Sequence, residues 1–267
     1  MTGRRAAVLG KPIDHSRSPV LHNAGYAAAG LRGWQYTKIE CDEGELAGIV
    51  SGLGPEWAGL SLTMPLKAVA LEVADLVDPF AAGLGAANTL VRREAGWQAY
   101  NTDAPGMVRA LQDVGVGRVG HLAVLGGGGT ARAAIGAAAG LGARMTVYAR
   151  RPDAVDELRP VADALGVRLD GAPWSALADS VTADVLVSTV PKGVADELAA
   201  TRWRPGLVVF DVVYDPWPTP LAAAAQSAGC RVVSGLDLLL WQAVHQFELF
   251  TGVDAPVAAM RAALHAG

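Results

Sequence analysis

Four short segments carry polar side chains at spacings that packing alone does not require: Ser16-Arg17-Ser18, Ser61-Leu62-Thr63-Met64-Pro65-Leu66-Lys67, Asn88-Thr89 and Asn101-Thr102-Asp103. In an extended stretch, serines two apart turn both hydroxyls to one side, where they can donate to one carboxylate. Ser18, directly before Pro19, also suits a helix N-cap, so Ser16 is the sharper candidate, with an ordinary loop serine as the competing reading. Lys67 follows Pro65, which fits a first helical turn, and a cation there opposes the helix macrodipole. That is an odd place for a decorative lysine, and a neighbouring carboxylate such as Asp103 can keep it charged. A solvated surface lysine and an N-cap at Asp103 are the plainer alternatives. Together these residue types suit gripping a small acid and moving a proton.

A second signal is the run Gly126-Gly127-Gly128-Gly129-Thr130-Ala131, which follows the apolar stretch Leu122 to Leu125. It matches GxGxxG/A with Gly126, Gly128 and Ala131 in the three positions. Small residues there allow a sharp strand-to-helix turn, backbone approach to a pyrophosphate and close helix packing. A plain turn is the rival reading, weakened by the strand before and the helix after. An acidic residue at the end of the next strand would hold the ribose hydroxyls of NAD, but the chain reads Tyr148-Ala149-Arg150-Arg151. Guanidiniums make bidentate, charge-assisted bonds to a 2′-phosphate, so NADP is the expected cofactor. A solvated strand end is the alternative for both arginines.

The elements that must position these groups alternate along the chain. Strands are expected at 6–10, 34–40 and 58–63, helices at 18–30 and 42–53, and two strands in 88–103 flank Glu94-Ala95-Gly96 as a hairpin. A helix from about 104 to 114 opens a second unit. Strands at 121–126, 145–151, 183–190, 206–214 and 230–235, with a helix at 131–142, give the rhythm of a doubly wound parallel sheet. Helices at 236–250 and 255–266 are expected to pack back on the first unit. The fold class is therefore α/β. A discontinuous substrate-binding domain over 1–103 and 236–267 accompanies a Rossmann-like NADP-binding domain over 104–235, the two sharing a cleft.

The 267 residues, 51% of them hydrophobic, suffice for large cores. With 22 basic and 26 acidic residues and no run of like charge, nothing marks a nucleic-acid partner. Cys41 and Cys230 lack a CxxC pattern, and His15, His22, His121, His245 and His265 lack paired ligand spacing, so no metal is assigned. The first residues read as no export signal, and no apolar stretch is long enough to span a bilayer. A cytoplasmic setting is expected. The tryptophans read as core or edge packing, and self-association as a homodimer is left open.

In their order along the chain, the S-x-S, T-x-P-x-K, N-T and N-T-D segments, the glycine loop, Asp211-Val212-Val213-Tyr214, Thr219-Pro220-Leu221 and the stretch from Gly235 to Gly252 resemble the shikimate dehydrogenase family. The resemblance implies that Ser16 and Ser18 hold a substrate carboxylate, that Ser61, Thr63, Asn88 and Gln242 bind ring hydroxyls, and that Tyr214 lines the site. Lys67 and Asp103 are implied as the catalytic pair, Asp103 also touching substrate. Arg150 and Arg151 would meet the NADP phosphate, and Thr189, Val212, Gly235 and Leu238 would complete the cofactor contacts. The implied reaction is reversible NADPH-dependent reduction of 3-dehydroshikimate to shikimate. Three residues depart from the family pattern: Ser61 and Ala149 each replace an Asn, and Leu238 replaces a Met. A quinate/shikimate dehydrogenase using NAD and a non-catalytic NADP(H) sensor are the rival readings.

Overall fold

Two six-stranded sheets organise the chain, one in each of two compact units. The computed structural model describes residues 3–266. The first unit comprises Met1–Thr102 with Leu239–Gly267, and the second Asp103–Leu238.

In the first unit the chain runs β1 (Arg5–Gly10), α1 (Ser18–Ala28), β2 (Gln35–Glu40), α2 (Leu46–Gly52) and β3 (Trp57–Leu62). It continues through α3 (Ala70–Val73), β4 (Leu76–Val77), α4 (Pro79–Leu84), β5 (Thr89–Arg93) and β6 (Gly96–Tyr100). The strand order is β2-β1-β3-β5-β6-β4. β1 pairs in parallel with β2 and β3, whereas β5 lies antiparallel to both β3 and β6. The β5–β6 hairpin is tighter than expected, since Gly96 pairs with Arg93 and is itself the first residue of β6. Its φ of 118° is backbone that a side chain resists.

α1 begins one residue earlier than a Ser18 cap requires. Arg17 occupies the N-cap position and makes no side-chain cap bond; the Ser18 amide instead donates to Ser16 Oγ at 3.4 Å. The segment before it is turned rather than extended, with the Ser16 amide bonded to the Ile13 carbonyl at 3.0 Å. A second correction concerns Lys67. Residues 64–69 form turns, and the following helix covers only Ala70–Val73, so Lys67 is not at a helix start and the macrodipole argument does not apply to it.

The second unit runs α5 (Asp103–Asp113), β7 (His121–Leu125), α6 (Gly129–Leu141), β8 (Arg144–Ala149), α7 (Pro152–Asp156), α8 (Arg159–Ala164) and β9 (Leu169–Pro173). A 3-10 stretch over Trp174–Thr182 leads to β10 (Val185–Ser188), a second over Asp196–Ala200 to β11 (Val208–Asp211), and α9 (Pro220–Ser227) to β12 (Arg231–Ser234). All strand pairs are parallel, in the order β12-β11-β10-β7-β8-β9. This is the doubly wound arrangement, with the chain order reversing between β7 and β10. The alanines and glycines of α6 let it lie close to its neighbours, and Gly142, at φ 71°, closes it in the left-handed conformation.

Ser234 and Asp237 start α10 (Gly235–Thr251): the Ser234 amide and hydroxyl both donate to Asp237 Oδ2, at 2.9 and 2.8 Å. From Leu239 onward this helix, with α11 (Val257–His265), belongs to the first unit. Phe247 and Phe250 are almost fully buried there. A methyl group on Gly25 would come within 2.9 Å of Phe247, and one on Gly59 within 2.0 Å of Phe250. Truncating either ring would cost about 3–5 kcal/mol on the general scale for buried aromatics.

Candidate active site

In the first unit, Thr63, Lys67 and Asn88 are fixed by backbone bonds. The Thr63 amide donates to Leu9 O at 2.9 Å, and Gly10 leaves room for its methyl group, because a Cβ there would lie 2.3 Å from Thr63 Cγ2. Lys67, half-buried, accepts at its carbonyl from the Ala87 amide at 2.7 Å. Asn88 is 2% exposed and held on both ends of its amide. Its Oδ1 accepts from the Thr102 amide at 2.8 Å and from Thr89 Oγ1 at 2.9 Å, while its Nδ2 donates to Thr102 Oγ1 at 3.0 Å.

Beneath this runs a buried polar chain that sequence spacing did not reveal. Tyr36 donates to Ser61 Oγ at 2.6 Å, and Ser61 donates to Gln246 Oε1 at 2.6 Å. Gln246 Nε2 then donates to Thr89 Oγ1 at 3.0 Å and to the Asn88 carbonyl at 3.2 Å. Ser61 thus spends its one proton on Gln246 and accepts from Tyr36, so its hydroxyl braces Asn88 from behind. Burial pushes the Tyr36 phenol well above its usual pKa. His22 stacks on that phenol at 4.1 Å with the rings 3° from parallel. Its imidazole is pushed down to about 3, chiefly by burial. Gln246 is a polar neighbour, but its amide is committed elsewhere and, among the described residues, neither His22 nitrogen has a hydrogen-bond partner.

Gln242, one helical turn before Gln246 and on the same face, donates from Nε2 to the Leu239 carbonyl at 2.8 Å. Ser16 is half-buried and Ser18 buried at the start of α1.

Asp103, 7% exposed, is the first residue of α5 and opens the second unit. There the glycine loop connects β7 to α6. Gly126 has φ 93°, and a Cβ on it would meet Val190 at 2.8 Å; Gly127 is similarly tight against Ala154 at 3.0 Å. Gly128 and Gly129 face open space, and Ala131 is fully buried against the sheet. The two tight glycines shape the turn and the two open ones leave amides approachable, which fits a bound pyrophosphate. Thr130 is half-buried in the first turn of α6, and Thr189 donates to the Leu125 carbonyl at 2.7 Å.

Arg150 and Arg151 line a cavity of about 400 Å³ with Gly126, Gly128, Trp174 and Val190. They differ in commitment. Arg151 is paired with Asp153 at 2.9 Å, whereas the Arg150 guanidinium has no carboxylate partner among the described residues and lies over the Trp174 ring, 5.4 Å from its centre. At the ends of β11 and β12, Val212, Tyr214 and Gly235 are crowded together: a Cβ on Gly235 would be 2.0 Å from the Val212 carbonyl oxygen and 3.2 Å from Tyr214 Cδ1. Asp211 is buried, its carboxyl pushed above the usual range by burial although Thr219 donates to it at 2.6 Å. Leu238 is half-buried in the first turn of α10.

Family comparisons cover the chain in three blocks. Residues 8–90 match the shikimate dehydrogenase substrate binding domain, 94–215 the alanine dehydrogenase/PNT C-terminal domain, and 235–265 the shikimate 5′-dehydrogenase C-terminal domain. A shikimate dehydrogenase (NADP(+)) from Anaeromyxobacter sp. (strain Fw109-5) is 40% identical across 100% of this chain and 98% of its own length. The chain belongs to the shikimate dehydrogenase family. Solved structures of the family agree. The Mycobacterium tuberculosis shikimate dehydrogenase superposes with a TM-score of 0.90 at 50% identity, over 98% of this chain and 99% of its own. The Thermus thermophilus enzyme, solved in complex with NADP(H) and shikimate, gives 0.86 at 31% identity over 98% of both chains. The α/β class with a Rossmann-like second unit expected from the sequence is the fold of this family.

Proposed function

We infer that this protein catalyses the reversible reduction of 3-dehydroshikimate to shikimate as an NADP-dependent oxidoreductase. The observation that carries this is the end-to-end match to shikimate dehydrogenase (NADP(+)) relatives. The polar segments of this chain support it, since they supply the groups the reaction needs.

NADPH, when bound, supplies the hydride that converts the ring carbonyl to an alkoxide. Lys67 gives the alkoxide its proton and stabilises the developing charge, and in the reverse direction takes that proton back. Asp103 acts with it and hydrogen-bonds the substrate hydroxyl. Ser16 and Ser18 hold the carboxylate; Thr63, Asn88 and Gln242 hold ring hydroxyls, and Tyr214 lines the site. Ser61 serves from behind, its hydroxyl engaged by Tyr36 and Gln246. Glycines 126–129 with Thr130 and Ala131 cradle the pyrophosphate, while Thr189, Val212, Gly235 and Leu238 bound the nicotinamide side. Arg150 is the principal ligand of the 2′-phosphate, because Arg151 already has a carboxylate partner.

No described helix is long and apolar enough to cross a membrane, and a cytoplasmic enzyme acting on small molecules fits this reading. Light scattering on the purified protein distinguishes a homodimer from a monomer. The deciding assay offers shikimate and quinate, each with NADP and NAD. Shikimate with NADP should give the highest kcat/KM; equal rates with quinate would move the protein to the quinate/shikimate class, and binding of NADPH without turnover would make it a sensor.

A further inference from the structure

We propose that Trp174 is a positioning residue that sets the preference for NADP over NAD. The proposal rests on the reading of Arg150 as the 2′-phosphate ligand. Arginine is long and flexible, and a free guanidinium at a strand end samples many rotamers, so a group that must meet one phosphate gains from being held. No described residue of opposite charge holds Arg150. Its partner is instead the face of the Trp174 indole, 5.4 Å away, which attracts the cation without neutralising it. A carboxylate in that place would compete with the phosphate; an aromatic face does not.

The indole is itself clamped. Its Nε1 donates to Glu197 Oε1 at 2.9 Å, which fixes the plane of the ring. Glu197 lies in the 3-10 stretch Asp196–Ala200, which follows the segment carrying Val190, Pro191 and Val194 on the wall of the same cavity. One residue therefore joins the two walls: the strand end bearing Arg150 and the segment after β10. Trp174 itself is half-buried, lines the cavity with Arg150 and packs at the edge of the second unit's core, so Trp174→Phe, which keeps a ring there, must accompany Trp174→Ala to separate the hold on Arg150 from packing.

The test uses the full chain and two probes, adenosine 2′,5′-bisphosphate and adenosine 5′-monophosphate, titrated by calorimetry into wild type, Trp174→Ala, Trp174→Phe and Arg150→Ala. Trp174→Ala should weaken the bisphosphate on the order of tenfold and leave the monophosphate unchanged, while Trp174→Phe, which keeps an aromatic face, should restore most of the loss. The ratio of kcat/KM for NADPH to that for NADH should fall in the same order. Equal weakening of both probes would mean general packing and would overturn the proposal, as would no effect in Trp174→Ala when Arg150→Ala loses the bisphosphate. If Arg150→Ala also binds it normally, the proposal fails with the assignment of Arg150, leaving the cofactor preference measured by turnover to stand separately.

Discussion

Ser61 and Gln246, 185 residues apart in sequence, share a 2.6 Å hydrogen bond inside the first unit. The bond ties the strand that leads to Lys67 to the helix that carries Gln242. Removing the hydroxyl strands two buried polar groups, Tyr36 Oη and Gln246 Oε1, so Ser61→Ala should lower stability by about 1–3 kcal/mol. Urea unfolding checks this. Ser61→Cys, with a poorer donor and acceptor, should fall between the two; a variant as stable as wild type would show that the chain of bonds is dispensable.

Gln246→Leu removes the support under Asn88 while leaving Asn88 itself in place. Its amide bond to the Asn88 carbonyl and to Thr89 is lost, so the substrate KM should rise severalfold, with NADPH affinity unchanged. Steady-state kinetics with each substrate varied separates these effects; a change confined to NADPH would contradict the placement.

Lys67→Ala should lower kcat and kcat/KM together by on the order of 10²–10⁴, because the proton is needed mainly in the transition state. Substrate KM should move little. Near wild-type turnover in a folded Lys67→Ala protein would transfer the role elsewhere, with Tyr214 the next residue to test.

His22 makes stability depend on pH. Its folded pKa lies near 3, against an ordinary value of 6.5, so between these values the unfolded chain binds a proton that the folded one refuses. The stability linked to His22 is present above about pH 6.5 and is lost as the pH falls toward 3, at up to about 1.4 kcal/mol per pH unit. Denaturation midpoints measured from pH 7 down to pH 5 should fall less steeply in His22→Phe, which keeps a ring against Tyr36. Parallel slopes would exclude this origin.

Gly235→Ala should destabilise the second unit by about 1–3 kcal/mol or more, since its Cβ would meet a backbone oxygen at 2.0 Å. Thermal melting, with and without NADP, is the measurement, and an unchanged midpoint would mean that the β11–β12 ends relax freely.

The sequence made most strands legible because apolar runs such as HLAVL and VLVS are buried on both faces and bounded by small or polar residues. β9 was missed for the opposite reason: as an edge strand it pairs only with β8 and buries only Leu169. α4 did carry a signal, an Asp78 cap, Pro79 in the first turn and Gly85 at φ 61°, too brief for periodicity to register. Among site residues, the motif positions stood out by spacing, but the sequence places Lys67 in a first helical turn that does not exist, because Pro65 suits a turn as well as a helix start. Gln246 and Trp174 act through partners far away in sequence, and no spacing within one segment points to them.

The closeness of Gly59 and Phe250 also bears on how the polypeptide is made. The ribosome delivers the residues up to Thr102 before those from Leu239 onward, so that portion lacks the aromatic plug of Phe247 and Phe250 until α10 has emerged. The stretch from Asp103 to Leu238 is contiguous and can finish earlier, although it is translated later. The amino-terminal part of the first unit thus waits on α10 and α11, and a chain that ends before Leu239 leaves the first sheet uncovered whatever the state of the second.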